Sequence, residues 1–495
     1  MSHHKGLNVW QLTLLALGTV VGGSFFLGSS IAIKAAGPAV VISYILGGAL
    51  VYLILYSLSE MTVANPCSGS FRTYCENMYG PIAGFTVGWV YWTGLVLAMS
   101  SEAIAVSVFL QRWIPAFPLP LLGSLVIIVV TVINLLGVEN LSKLEGGLAV
   151  IKLLALLGFV IIAALLVTGL LPGQTTRWAG PLVTENLLPG GIAGVAGSML
   201  IVMFTYAGFE IIGLAAAEAE DPHRTIPKAI TYTVLGLVSL YLLTIIFLLP
   251  LVPTAALTEE TSPLVIALVR NGQLWAGDII NIILVIAILS TMLAATFGIA
   301  RMVRSLAADG HAPNWLRDQS EIPYRGIIFS GIAMLSALAL GYLLPRQVYI
   351  FLISSGGFSL LFVYVVILIT HIKFRSINGC PPDGKCKLPG YPYTSILALI
   401  SLIAIIVSMP LIPGQGSGLI AGLLLVVIYL LIYLIKRLNY KRLKKEIQYF
   451  SLRKTYKTKY STEFSENISI EEKYLKSTKS TTKKDTCPIK NKQDN

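Results

Sequence analysis

Apolar residues run in long blocks along this chain, and the polar residues collect in the short stretches between them. A hydrocarbon layer of about 30 Å needs about 20 mostly apolar residues per helical crossing, and on that measure the pattern predicts about twelve spans. The first six cover Val9 to Ile33, Pro38 to Val63, Ile82 to Trp113, Leu119 to Val138, Gly146 to Leu171 and Gly190 to Ala217. The second six cover Lys228 to Val252, Ala276 to Ser305, Gly326 to Leu344, Gln347 to Ile372, Thr394 to Leu411 and Gly414 to Ile435. The expected fold class is an all-α polytopic membrane protein.

Two blocks carry residues that a plain spanning helix would avoid. The first holds "GTVVGGSFFLGSS" from Gly18 to Ser30, with Gly22 and Gly23 adjacent. A helix-interior glycine costs about 1 kcal/mol relative to alanine. In hydrocarbon, irregular backbone survives only where protein buries it or where it lines a cavity. Mid-span glycines therefore suit an unwound stretch that offers amides and carbonyls to a ligand, or close helix packing through small residues. The sixth block places Ala207 and Gly208 mid-span, followed by Glu210. Interruptions at corresponding positions of two halves point to a transporter binding site. Spans one and six fit two repeats of five helices.

Composition agrees with a membrane class: the chain is 55% hydrophobic and 12% charged, with a mean hydropathy of +0.77. The net charge of +12 is a property of the tail. Residues 436–495 hold 17 Lys and Arg against 7 Asp and Glu, so basicity points to the anionic inner leaflet rather than to nucleic acid. That tail is polar and expected to be disordered. With the N-terminus inside, Arg72, Lys143, Arg224, Arg317, Arg325, Lys373, Arg375, Lys385 and Lys387 face the cytoplasm, against Lys34, Arg112, Arg177, Arg270 and Arg346 outside. The excess places both termini in the cytoplasm. No removable signal peptide is expected.

Five cysteines fall in no zinc-type spacing, and Cys380 and Cys386 in "CPPDGKC" receive no role. No phosphate-cradling loop occurs, and no nucleophile, base and orienting group stand together, so neither a metal, a cofactor nor an enzyme is expected.

The stretches "GTVVGGSFFLGSSIAIKAAGPA", "SLSEMTVANPCSGSFRTYCENMYGPIAGFTVGWVYW", "FEIIGLAAAEAEDPHRTIPKAI" and "RMVRSLAADGHAP" together resemble the amino acid permeases of the amino acid–polyamine–organocation superfamily. The resemblance runs from Leu7 to about Ile435, with the motifs in family order. It implies a LeuT-type fold of five-plus-five inverted repeats with broken helices one and six, and secondary transport of amino acids across the cell membrane. The organisation is then an N-terminus (1–8), a transporter domain (9–435) and a basic tail (436–495). The transporter domain comprises repeat one (9–171), repeat two (190–372) and two extra helices (394–435). The family's usual Gly-x-Gly reads Gly22-Gly23-Ser24 here. The resemblance places substrate against Val20, Val21, Gly22, Gly23 and Ser24 and against Phe204, Tyr206, Ala207 and Gly208, with Phe204 and Tyr206 as aromatic covers or as ordinary packing.

Three ionisable residues lie inside spans, where charge is costly and usually functional. Glu102 sits near the middle of the third span, where it binds a proton or a cationic group, or hydrogen-bonds a neighbouring helix in neutral form. Glu210 follows the sixth-span break and matches a glutamate common in this permease branch; the resemblance implies that it holds the pocket or links it to protonation. Lys152, about two turns into the fifth span, either snorkels to the interface or stands where sodium-coupled relatives hold a cation. The resemblance favours the second reading, in which its protons serve symport. An exchanger and a membrane amino acid sensor remain alternatives.

Overall fold

In the computed structural model the described residues are 7–458, except 66, 68, 137, 172–185, 211, 214–218, 259–260, 321, 344–347 and 380–387. Arg177, Arg346, Lys385, Lys387, Cys380, Cys386 and the tail from 459 onward lie outside them, and the side chain of Lys143 is likewise not described. Among the described residues the regular structure is helical. Helices α1 (Val9–Val20), α2 (Gly23–Phe26) and α3 (Gly28–Ala36) divide the first span, and α4 (Val40–Ala64) returns. A short α5 (Ser70–Tyr79) leads into α6 (Pro81–Leu110), α7 (Leu119–Leu135) and α8 (Val138–Val167). The second half runs α9 (Gly191–Thr205), α10 (Pro222–Leu248), the short α11 (Pro263–Arg270), α12 (Leu274–Ala308), α13 (Tyr324–Leu343) and α14 (Val348–Asn378). Last come α15 (Tyr393–Ser408) and α16 (Gln415–Thr458).

The chain divides into a compact unit through Leu425 and a second unit from Val426; the second continues as helix to Thr458. Among the described residues, eight helical stretches are long and apolar enough to cross a membrane, and four shorter apolar helices accompany them. The first span is interrupted inside its apolar block, the helix stopping at Val20 and restarting at Gly23. Among the described residues, the short α-helices α5 and α11 fall between predicted spans, where the apolar blocks do not announce them.

Local chemistry sets the ends. Asn8 and Gln11 form a reciprocal capping box before α1, with Gln11 N–H donating to the Asn8 side chain at 2.9 Å and Asn8 N–H donating to Gln11 Oε1 at 3.0 Å. Pro81 and Pro222 stand at first helical positions, where a missing N–H costs nothing. Within the spans, hydroxyls donate to their own helix one turn back, as Ser57 does to the Leu53 carbonyl, Ser107 to Ala103 and Thr244 to Leu240. Such bonds let polar side chains sit in apolar helices without an external partner. One face of α7 presents Leu125, Ile128 and Val132 outward, and one face of α15 presents Leu397, Ile400 and Val407. In water those faces would be a liability; against acyl chains they are the solvated surface.

Candidate functional site

The first span breaks at Val21 and Gly22. Val21 is extended (φ −72°, ψ 101°), as is Gly22 (φ −143°, ψ −169°), so the helix that ends at Val20 restarts at Gly23. A helix end leaves carbonyls without intrahelical donors, and here other helices supply them. Lys152 Nζ, from the middle of α8, donates to the Gly18 carbonyl at 2.6 Å and to Thr291 Oγ1 of α12 at 2.9 Å. Thr291 Oγ1 in turn lies 2.9 Å from the Val21 carbonyl, to which it donates. Lys152 is 1% exposed and points inward. Because α8 begins at Val138, ahead of the apolar block that starts at Gly146, Lys152 lies some four turns along the helix, about 21 Å, while keeping its place about two turns into the block.

The restarting half exposes amides, and these also find a partner. Gly23 N–H donates to Glu102 Oε2 at 2.6 Å and Ser24 N–H donates to Glu102 Oε1 at 2.9 Å. Glu102 is 3% exposed, about two turns before the C-terminal end of α6. A side chain on Gly22 would crowd Thr291 at 3.2 Å, and one on Gly23 would collide with Glu102 and press on Ile288 and Ala105. The two glycines are therefore required by close approach of α6 and α12.

The second break follows Thr205. Residues Tyr206 to Glu210 form turns, and Gly208 has φ +103°, a conformation that side chains strain. A Cβ there would also press on the Thr19 carbonyl at 3.2 Å, so the two breaks lie against each other. Glu210 Oε2 accepts from Gly208 N–H at 3.1 Å and from the Tyr364 hydroxyl at 3.2 Å, while Oε1 accepts from the Tyr91 hydroxyl at 3.1 Å. Tyr91 precedes Glu102 on α6 by eleven residues, about 16 Å of helix. Along α6, Glu210 is thus held at a different level from Glu102.

Aromatic rings fill the space behind the breaks. Phe25 stacks on Tyr241 with centroids 3.9 Å apart, and Tyr44 and Tyr206 close the cluster edge-on. Tyr241 OH donates to the Thr205 carbonyl at 3.2 Å, at the end of α9. Tyr206 is in this cluster, and Phe204 is buried in the last turn of α9, next to the break. Tyr91, Thr291, Tyr241 and Tyr364 were beyond sequence reasoning, since a lone hydroxyl in an apolar helix carries no signal.

Two charged networks lie where α4 finishes and α6 begins. Arg72 of α5, 1% exposed, donates to Glu76 Oε2 at 2.9 Å, to Ser305 Oγ at 3.0 Å and to the Asp309 carboxylate beyond α12. His311 Nε2 meets the other Glu76 oxygen at 3.2 Å. Burial would raise the Glu76 carboxyl, but His311 and Arg72 outweigh it and hold the group below its ordinary value near 4.5. In the second network Glu60 of α4 accepts from His371 Nε2 at 2.8 Å and from Leu388 N–H at 2.8 Å, with Arg375 3.5 Å away.

Comparison with known proteins places this arrangement. Residues 11–448 match the family described as amino acid permease. A gamma-aminobutyric acid permease of Bacillus subtilis (strain 168) is 31% identical over 438 residues, 88% of this chain and 93% of that one. An aromatic amino acid transport protein of Salmonella typhimurium is 30% identical over 416 residues, 83% of this chain and 91% of the relative. Among solved structures, a manganese transporter of Eremococcus coleocola has the same fold at a TM-score of 0.53 and 14% identity, covering 86% of this chain and 94% of its own.

Proposed function

We propose, since this chain belongs to the amino acid permease family, that it imports amino acids across the cell membrane by proton-coupled alternating access. Amino acid transport is the family's activity; coupling and mechanism are our reading. The observation that carries it is Lys152 at the end of α1, bonded to the Gly18 carbonyl and to the Thr291 hydroxyl that holds Val21. A protonated amine has three donors and no acceptor, and so completes the carbonyls of a broken helix as a bound metal cation would. Once the proton leaves, the amine donates more weakly and can accept, and the fastening of α1 to α8 and α12 loosens. A proton taken up at Lys152 from one side and released to the other then drives the cycle. Glu102 and Glu210 are further proton-carrying groups in this reading.

Substrate sits at the two breaks, Val20 to Ser24 and Phe204 to Gly208, where backbone donors and acceptors suit the carboxylate and ammonium that all amino acids share. The relatives named for gamma-aminobutyric acid and for aromatic amino acids have that pair in common and little else, which supports a backbone site for it. The distribution of Lys and Arg supports cytoplasmic termini.

The test is uptake into proteoliposomes with and without an imposed pH gradient. The parent protein should accumulate its amino acid when the outside is acidic. Lys152→Ala should lose that accumulation and keep exchange of internal for external substrate. Gradient-driven uptake by Lys152→Ala, or a sodium requirement in the parent, would remove Lys152 from coupling; exchange alone in the parent would make the protein an antiporter.

A further inference from the structure

We infer that Glu102 is a built-in competitor for the substrate's carboxylate: in the ligand-free chain it occupies the Gly23 and Ser24 amides, and substrate must displace it to bind. The inference rests on the reading of the breaks as the substrate site. The amides at the first break are not vacant. Both donate to one carboxylate, at 2.6 and 2.9 Å, and that carboxylate arrives from another helix 78 and 79 residues away in sequence. The Ser24 side chain also faces it. The surroundings leave no room for a second anion beside it, because a single added carbon on Gly23 would already strike Glu102 and press on Ile288 and Ala105. A free amino acid and Glu102 would thus use the same donors through the same functional group, one after the other.

Displacement has a proton consequence. The titratable groups facing Glu102 are Lys152 from α8, which is charged, and the neutral phenol of Tyr241 from α10, with Ser24 from the first span and Thr291 and Ile288 of α12 close by. Lys152 is already committed to Gly18 and Thr291. A carboxylate pushed off two amides into this setting loses its compensation, and an uncompensated buried charge is neutralised by taking up a proton. One proton from the solvent of the open side joins Glu102 as one substrate carboxylate replaces it. The charge at the amides is unchanged, and binding tightens as pH falls.

The same geometry separates this role from a direct salt bridge between Glu102 and the substrate ammonium. If Glu102 bound the ammonium, its removal would weaken binding; as a competitor, its removal strengthens it. Glutamine at 102 offers one neutral oxygen to the two amides and turns its own N–H groups toward the other, so it competes poorly.

Full-length protein in nanodiscs is titrated with the twenty proteinogenic amino acids and gamma-aminobutyric acid, and the tightest binder is measured calorimetrically in buffers of different ionisation enthalpy. Glu102→Gln should bind it about tenfold tighter, the equivalent of about one charge-assisted hydrogen bond withdrawn from the competitor. The parent should take up close to one proton per molecule bound, and Glu102→Gln none. Glu102→Asp, whose carboxylate is drawn back by one methylene, should move affinity in the same direction, and the parent's proton count stands without any variant. Equal or weaker binding by folded Glu102→Gln, or no proton uptake by the parent, overturns the inference. Gly22→Leu distinguishes its failure from that of the site itself. If folded Gly22→Leu keeps parental affinity, or nothing in the panel binds the parent or Glu102→Gln, the breaks are not the substrate site and both fall. If it loses binding while Glu102→Gln binds no tighter, only the competitor role falls.

Discussion

Removing Asp309 should destabilise the protein more than removing Arg72, although the two belong to one ion pair. The Arg72 side chain is 1% exposed and that of Asp309 is 42% exposed. Asp309→Ala leaves the guanidinium buried, with Glu76 at 2.9 Å as its remaining carboxylate and hydroxyls at 3.0 and 3.2 Å from Ser305 and Thr73. A buried charge stripped of every partner costs about 3–5 kcal/mol; with one acid retained, the cost should be about 2–3 kcal/mol. Arg72→Leu removes the charge itself. Asp309 and Glu76, which reach solvent, regain water, and the leucine methyls take up the space where the Arg72 chain packs on Gly88 and Leu306. That change should cost about 1–2 kcal/mol, because an apolar residue of similar volume replaces a buried ion at small cost. The double variant should resemble Arg72→Leu alone, giving a coupling equal to the Asp309→Ala loss, about 2–3 kcal/mol. Denaturant unfolding of the four proteins in mixed micelles measures all three quantities. A loss for Arg72→Leu at least equal to that for Asp309→Ala, or additive losses in the double variant, would refute the reasoning that burial asymmetry decides the cost.

Glu76 makes stability depend on acid. Its folded value lies below the ordinary one near 4.5, so its contribution is complete above the unfolded value and is lost as pH falls through the folded value. Unfolding midpoints measured from about pH 6 down to pH 3 should decline in the parent and decline less in Glu76→Gln; parallel curves would show that the network does not hold Glu76 ionised. Topology is checked with an impermeant thiol reagent on intact cells. Cys487 should stay unlabelled and R177C should label, whereas labelling at Cys487 would invert the orientation.

The apolar blocks made the helical membrane class legible, because a period-free stretch of about 20 residues has few other uses. The breaks were legible too, since paired glycines at 22 and 23 and Gly208 are anomalous where alanine or leucine would stabilise. Lys152, Glu102 and Glu210 stood out because charge within a span demands a reason. Their partners did not. Thr291 is one more hydroxyl in a 35-residue helix, and only folding brings it beside Gly22. Arg72 read as a loop charge, because nothing near it in sequence announces Asp309, 237 residues on. The glycines at 22 and 23 read as a backbone open to ligand or as a packing seam, because sequence gives no sign that Glu102 faces the Gly23 and Ser24 amides.

Hydroxyls bonded to their own helix are satisfied as soon as the helix forms, but the interhelical polar groups have to wait for the ribosome. At about 5–20 residues per second, Glu60 is made some 15–60 s before His371, which follows 311 residues later. Glu60 lies within four residues of the end of α4, at a depth where water can tend it meanwhile. Arg72, whose partner Asp309 also comes late, is on α5 between the spans. Glu102 lies about two turns inside α6 and has no such refuge, but Gly23 and Ser24 are already synthesised when it emerges. Depth in the bilayer is thus matched to waiting time: the residue buried deepest at once is the one whose partners come first. Moving Glu60 two turns toward the centre of α4 would leave the finished contacts within reach of redesign and still strand a carboxylate in lipid for most of translation.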